Sequence, residues 1–182
     1  TLSLKRIKAM EPRIRELARK QLHTFAANDH TDNFITGFAY LFPTMVMCDM
    51  LGIREGEFSD DILLSLTTAI ADTFPVFETR ALSPAELEKA DRQMVFLTDF
   101  FDSIFNDRRR NPRDDLTTAL VNAQYGTDSL SSDELSTSVI GLFGAGFETT
   151  AHMIGNGTYL LGMYGHQRHR LTQDIGLAEA VT

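Results

Sequence analysis

Two Ser-x-x-Glu pairs constrain the fold of this chain more than any other feature. Ser83 and Glu86, with Pro84 between them, open the run "SPAELEKADRQMVFLTDFFDSIFNDRRRNP", and Ser131 and Glu134 open a second run that extends to about Tyr164. In such a pair the serine oxygen accepts the N–H three residues on, and the glutamate reaches back to the serine N–H; both pairs therefore mark helix starts. Proline is suited to the first helical position, because the N–H it lacks would have no partner there. Asn111-Pro112 stops the first run, and Arg108, Arg109 and Arg110 fall in its last turn, where cations complement the helix dipole.

Apolar residues return at helical spacing elsewhere too. "EPRIRELARKQLHTFAAN" places Ile14, Leu17, Ala18, Leu22 and Phe25 on one face, with Pro12 in the first turn. "FPTMVMCDMLGI" predicts a helix ended by Gly52, and "SDDILLSLTTAIADTF" one that breaks at Pro75. "DDLTTALVNAQYG" predicts a short helix with an Asp start and a Gly end, and "DNFITGFAY" is the candidate for a short strand. The expectation is one all-α unit over residues 1–182, mainly α, with at most a minor β element and no repeat.

The bulk numbers bound the function. A length of 182 residues with 43% hydrophobic content suits one domain with a real core. A net charge of −8 argues against a nucleic-acid partner. The single cysteine, Cys48, allows no disulfide framework and fits a reducing compartment. The first residues carry no signal-peptide pattern, and no stretch is apolar enough to span a bilayer, so a cytoplasmic protein is expected. The chain opens without methionine and stops in "GLAEAVT", which reads as a piece of a longer chain.

The second long run carries the most informative stretch, "GLFGAGFETTAH", from Gly141 to His152. Seven of the chain's 12 glycines fall between Gly141 and Gly165. Each glycine inside a helix costs about 0.5–1 kcal/mol relative to alanine, so a close approach is implied. A dinucleotide fingerprint needs a second strand with an acid about twenty residues on, and "GHQRHRLTQ" shows no strand pattern. A phosphate loop of the Gly-Lys-Ser/Thr type needs a lysine, and none occurs after Lys89. Helix–helix packing accounts for the glycines but not for Glu148 and Thr149 among them. A third reading uses all of them. At 100° per residue Leu142, Ala145, Gly146, Thr149 and Met153 share a face almost without side chains, against which a flat ligand could lie. Thr149 can bond back to the carbonyl of Ala145 and open a groove, beside which Glu148 could relay protons.

Ala145-Gly146-Phe147-Glu148-Thr149-Thr150 matches the [AG]-G-x-[DE]-T-[TS] motif of the long central helix of cytochromes P-450, the haem-thiolate monooxygenases. "AHMIGNGTYLL", "NPRDDLTTALVNAQYGTDSLSSDELSTSVIGLF" and "FAYLFPTMVMCDMLGI" resemble the bacterial, soluble class in the same order. The resemblance implies the central helical part of that fold, haem as cofactor, O2 and a small hydrophobic molecule as substrates, and a ferredoxin-type electron donor. It implies that Thr149 steadies activated oxygen, that Glu148 is the neighbouring acid of a proton relay, and that Ala145 and Gly146, with Thr149, line the oxygen groove against the haem. The family's cysteine ligand, its E-x-x-R motif and its H-x-x-x-R motif are absent from this chain, so the chain resembles a central fragment, inactive by itself. A haem-free helical interaction module that self-associates is the alternative.

The remaining candidates have ordinary explanations. Cys48 lies among apolar residues and reads as core. His166 and His169 do not complete a metal site, and no metal ligands are assigned. "DRRRNPR" reads as a solvated helix end. "IADTFPVFETRALSP" carries Phe74, Val76 and Phe77 between two helices; by resemblance it is the hinge over a substrate channel, with Phe74, Phe77 and Leu142 as substrate contacts.

Overall fold

Both capping boxes form. In the computed structural model, which describes residues 4–27, 33–54, 56–57, 59–125 and 128–180, Ser83 Oγ accepts from the Glu86 N–H at 3.3 Å and Glu86 Oε2 accepts from the Ser83 N–H at 2.8 Å. Ser131 and Glu134 repeat the arrangement at 3.2 and 2.9 Å. The Glu86 carboxyl is held down at about 2 by the Arg80 side chain, then by Ser83. These caps open the two long helices, α4 (Pro84–Arg110) and α6 (Ser132–Met163).

Around them stand α1 (Leu4–Ala27), α2 (Leu41–Met50), α3 (Asp60–Thr73), the short α5 (Leu116–Val121) and α7 (Gly165–Gln173). Two-residue strands, β1 (Gln124–Tyr125) and β2 (Asp128–Ser129), pair antiparallel. The architecture is helical, as the periodicity predicts. Among the described residues no helix is long and apolar enough to cross a membrane.

The core lies where α3, α4 and α6 meet. Phe101 and Phe105 of α4 and Phe143 and Phe147 of α6 are fully buried, with Leu66 and Ile70 of α3 beside them. Phe101 and Phe143 meet edge to face, with ring centroids 5.6 Å apart. Each fully buried side chain of this size contributes about 1.5–3 kcal/mol. Ser136 Oγ donates to Asp102 Oδ1 at 2.5 Å and ties α6 to α4. Cys48 is 4% exposed, and burial pushes its thiol up to about 12.

Several expectations need correction. Helix α1 begins at Leu4, so Pro12 lies inside it rather than in its first turn. The stretch around Ile35 forms no strand; it is a π-helical turn, Ile35–Ala39, closed by the Tyr40 N–H donating to Ile35 O at 2.9 Å. Its β-branched Ile35 and Thr36 suggest extended backbone, but Gln21 Nε2 donates to Gly37 O at 2.8 Å and holds the turn on α1. Asp32, the first residue of that candidate strand, lies outside the described residues. Helix α5 ends at Val121, and Gly126, its expected stop, also lies outside the described residues. The last described residues, Ile175–Ala180, form a 3-10 helix.

Arg108 is the largest surprise. It is 3% exposed, not solvated. Its guanidinium donates to Asp115 Oδ2 at 2.7 Å, to Gly52 O at 2.7 Å and to Asp107. Arg109 and Arg110 are exposed, as a helix end predicts. Asp115 also caps α5, accepting from the Thr118 N–H at 2.7 Å. Gly52 sits beside this pair at φ +77°, and a side chain there would run into Asp115, whose Oδ2 would lie 2.2 Å from its Cβ.

Candidate functional site

Helix α6 presents two unlike faces. Leu135, Val139, Ile140, Phe143, Phe147 and Ala151 point into the core. Gly141, Ala145, Thr149, His152 and Asn156 are exposed, and at 100° per residue they form one continuous strip. A Cβ added at Gly141 would meet nothing within 4 Å. The strip holds small residues at its centre and one hydroxyl.

The bare face is centred differently from the sequence expectation. Gly146 does not open onto the strip: a Cβ there would lie 2.6 Å from Met47 Sδ, so its missing side chain is where α2 packs. Leu142 is half-buried against the core. Ala145, Thr149 and Met153 are exposed, as expected. The uncovered strip is thus rotated away from Gly146 and Leu142, towards Glu148 and His152.

Thr149 Oγ1 donates to Ala145 O at 2.8 Å, and Thr150 Oγ1 donates to Gly146 O at 2.8 Å. Both are back-bonds of the i to i−4 type. The helix nevertheless stays α-helical throughout Ser132–Met163, so the expected local opening is not present. The Thr149 hydroxyl gives its proton to the helix and leaves its lone pairs for an outside donor.

Glu148 lies at the edge of the strip and is half-buried. Its Oε2 is buried and has no hydrogen-bond partner. Burial pushes its carboxyl above the usual glutamate range, and His152 pulls it part of the way back. A carboxyl group raised in this way keeps its proton to higher pH than a free glutamate, the direction that suits a general acid. His152 was not singled out in the sequence, although its place four residues after Glu148 put both on one face.

The aromatic candidates separate. Phe74 reaches α6, with Cε2 3.4 Å from where a Cβ at Gly144 would stand. Phe77 is 81% exposed and its ring centroid is 6.0 Å from that of Phe74. Both belong to a 3-10 turn, Phe74–Phe77, between α3 and α4. A cavity of ≈ 350 Å³ lies between α1 and α2, lined by Leu17, Phe25, Met45 and Ile53 among others, and none of its lining residues belongs to α6.

The family described as Cytochrome P450 matches residues 1–179. The mycinamicin IV hydroxylase/epoxidase of Micromonospora griseorubida is 32% identical over 163 residues, covering 86% of this chain and 37% of that protein. The 6-deoxyerythronolide B hydroxylase of Saccharopolyspora erythraea is 30% identical over 166 residues, covering 87% and 37%. Among solved structures, the myxobacterial cytochrome P450 CYP267B1, crystallised with myristic acid, superposes with a TM-score of 0.81 at 28% identity, over 98% of this chain and 42% of that one. The chain thus spans about two-fifths of the length of such relatives.

Proposed function

The chain belongs to the cytochrome P450 family, and on that premise we propose that it is the central helical part of a bacterial haem-thiolate monooxygenase that oxidises a small hydrophobic molecule with O2. The observation that carries the reading is the uncovered strip of α6, where Ala145 and Thr149 of the family motif stand exposed beside an orphaned carboxyl oxygen.

These residues fit a flat haem. The strip bears no bulky side chain from Gly141 to Thr149, so a planar group can approach the helix closely. Ala145 and Thr149 would lie against the group, with Gly146 contributing backbone alone. Haem, when bound, supplies the O2 reduction and oxygen-transfer chemistry. Thr149 would accept a hydrogen bond at Oγ1 while its own proton is held by Ala145 O. Glu148 would hold a proton at its carboxyl until the site draws on it. The iron ligand must come from elsewhere: Cys48, the chain's one cysteine, is buried with its thiol pushed up to about 12, which keeps it from acting as a thiolate. Phe74, Phe77 and Leu142 would bound an apolar substrate, and a ferredoxin-type protein would deliver electrons.

Reducing the haem-loaded complete protein under carbon monoxide tests the reading. The long-wavelength Soret band of thiolate ligation is expected, and its absence would end the proposal. In the same protein Thr149→Ala is expected to raise the share of electrons lost as peroxide, and an unchanged share would remove Thr149 from its role.

A second reading has one observation in its favour. Tyr159, Leu160 and Met163 are exposed apolar residues near the end of α6, a surface suited to self-association in a haem-free helical module. Sedimentation of the 182-residue chain tests it; a monomer at all concentrations argues against it.

A further inference from the structure

The acid beside the strip has a neighbour on its own helix. Glu148 and His152 are four residues apart in α6, so their side chains rise from one face a turn apart. Their surroundings differ. Glu148 Oε2 is buried and unpartnered, whereas His152 is exposed. One group is shielded beside the bare strip, and the other is open to water.

Tyr40 steadies the outer group. It comes directly after the π turn Ile35–Ala39, and its own N–H closes that turn. A π turn holds an extra residue and re-aims the side chains beyond it. The Tyr40 ring meets Phe147 at 5.6 Å, edge to face, and His152 at 6.4 Å, tilted by 60°. Ile35, from the same turn, fills the place of a side chain at Gly155, where a Cβ would lie 2.7 Å from its Cδ1. The π turn and the tyrosine at its end therefore pack on α6 at three points, Phe147, His152 and Gly155, and one of them is the imidazole.

We propose that His152 is the solvent-side proton source for Glu148, held in place by the ring of Tyr40. The inference rests on the oxygen-activating reading above. The step is a simple proton transfer. An imidazolium N–H of His152 gives its proton to a Glu148 carboxylate oxygen, leaving a neutral imidazole and a carboxylic acid. The imidazole then takes a proton from bulk water, and no electron moves. Side chains at this spacing on a helix have Cβ atoms about 5–6 Å apart, a gap that one water or a rotation of the Glu148 side chain spans. Histidine is the side chain suited to trading protons near neutral pH.

The electrostatics agree with this pairing. Burial raises Glu148, and His152 is the one charged group that registers on it. Nearby acids on the packed helices have other partners, Asp49 of α2 pairing with Arg13 at 3.0 Å. Cys48 of α2 is in the core, Asp72 of α3 bonds Lys89 and Gln93, and Asp102 of α4 accepts from Ser136. His152 and Tyr40 act through Glu148 and are positioning residues.

The test uses the complete, haem-loaded protein and His152→Gln, with two readouts. The first is an infrared titration of the Glu148 carboxyl band, identified by its loss in Glu148→Gln. Its midpoint is expected to move upward in His152→Gln, because the cation that favoured the carboxylate is gone. The second is the share of electrons lost as peroxide across pH. It is expected to be several-fold higher in His152→Gln than in the parent at neutral and mildly acid pH, where an imidazolium can supply the proton, and to converge with the parent at high pH, with substrate KM unchanged. Tyr40→Ala is expected to give smaller changes in the same directions. An unmoved midpoint, or a moved midpoint with an unchanged peroxide profile, overturns the proposal. If Thr149→Ala still uncouples the protein while His152→Gln does not, only the relay fails. If the carbon monoxide band is missing, the oxygen-activating reading itself fails.

Discussion

Asp115 and Glu148 are both carboxyl groups drawn out of water, and the protein treats them in opposite ways. Burial alone would raise Asp115, but the Thr118 N–H, the Arg108 guanidinium and the Thr118 hydroxyl outweigh it, and the group ends below the usual aspartate range. Glu148 has burial without that compensation; only His152 opposes it, and the group ends above the usual glutamate range. The first carboxylate is fully engaged: it caps α5 and holds Arg108 of α4, whose guanidinium in turn reaches the carbonyl of Gly52. The second keeps an unpartnered oxygen on the helix that bears the family motif. Complete satisfaction characterises a structural charge, and incomplete satisfaction beside an open face is the condition for a group that exchanges protons.

Removing one partner of the satisfied pair is the strongest way to break this contrast. Asp115→Ala takes the buried one of two carboxylate partners from Arg108, leaving only the more exposed Asp107, and is expected to cost about 3–5 kcal/mol, read from urea unfolding of the complete protein. A loss below 1 kcal/mol, on the order of a surface ion pair, would show that Asp107 and water suffice for Arg108. Gly146→Ala should cost a net of about 0.5–2 kcal/mol, because moving Met47 outweighs the gain of about 0.5–1 kcal/mol from replacing a helical glycine. The neighbouring Ala145→Ser should stay within about 0.5 kcal/mol, since that position is exposed. Equal effects at 145 and 146 would mean that the two faces of α6 are not distinct.

The two acids also oppose each other in pH. Asp115 has a lowered folded-state value, so its stabilisation is present above the ordinary aspartate pKa and is lost as pH falls through the lowered one. Glu148 has a raised folded-state value; its contribution is present below the ordinary glutamate pKa and is lost as pH rises through the raised one. Glu148→Gln should remove that second decline and leave stability near neutral pH within about 1 kcal/mol of the parent, or slightly above it. Unfolding midpoints measured from acid to neutral pH check this, and an unaltered profile would mean that Glu148 is not desolvated. Thr149→Ala should be as small as Ala145→Ser, within about 0.5 kcal/mol, because the hydroxyl it removes is exposed and its one hydrogen bond is a back-bond to Ala145 O. A loss above 1.5 kcal/mol, outside the range of about ±0.5 for such surface positions, would make Thr149 a structural residue first.

What the sequence made legible was local. The helix starts at Ser83 and Ser131 depend on contacts three residues apart, and both formed as read. The back-bond from Thr149 to Ala145 spans four residues and was also foreseeable. The burial of Arg108 depends on a carbonyl 56 residues away, and no local pattern carries that information. The orientation of α6 behaved likewise. A helical wheel groups residues by angle but does not say which arc meets a neighbour, and Met47 took the place beside Gly146. His152 lay within reach of the same i to i+4 spacing that linked other pairs, whereas Tyr40 owes its place to a π turn that read as a strand.

Gly146 and Gly155 have a mechanical consequence for that orientation. Nine residues separate them, which at 100° each places them half a turn apart, on opposite edges of the buried face. Met47 enters one notch and Ile35 the other, like two dowels in a shaft. Twisting α6 in either sense would drive one dowel into the backbone. The azimuth at which Ala145 and Thr149 meet any visitor is therefore set by two side chains that never touch it.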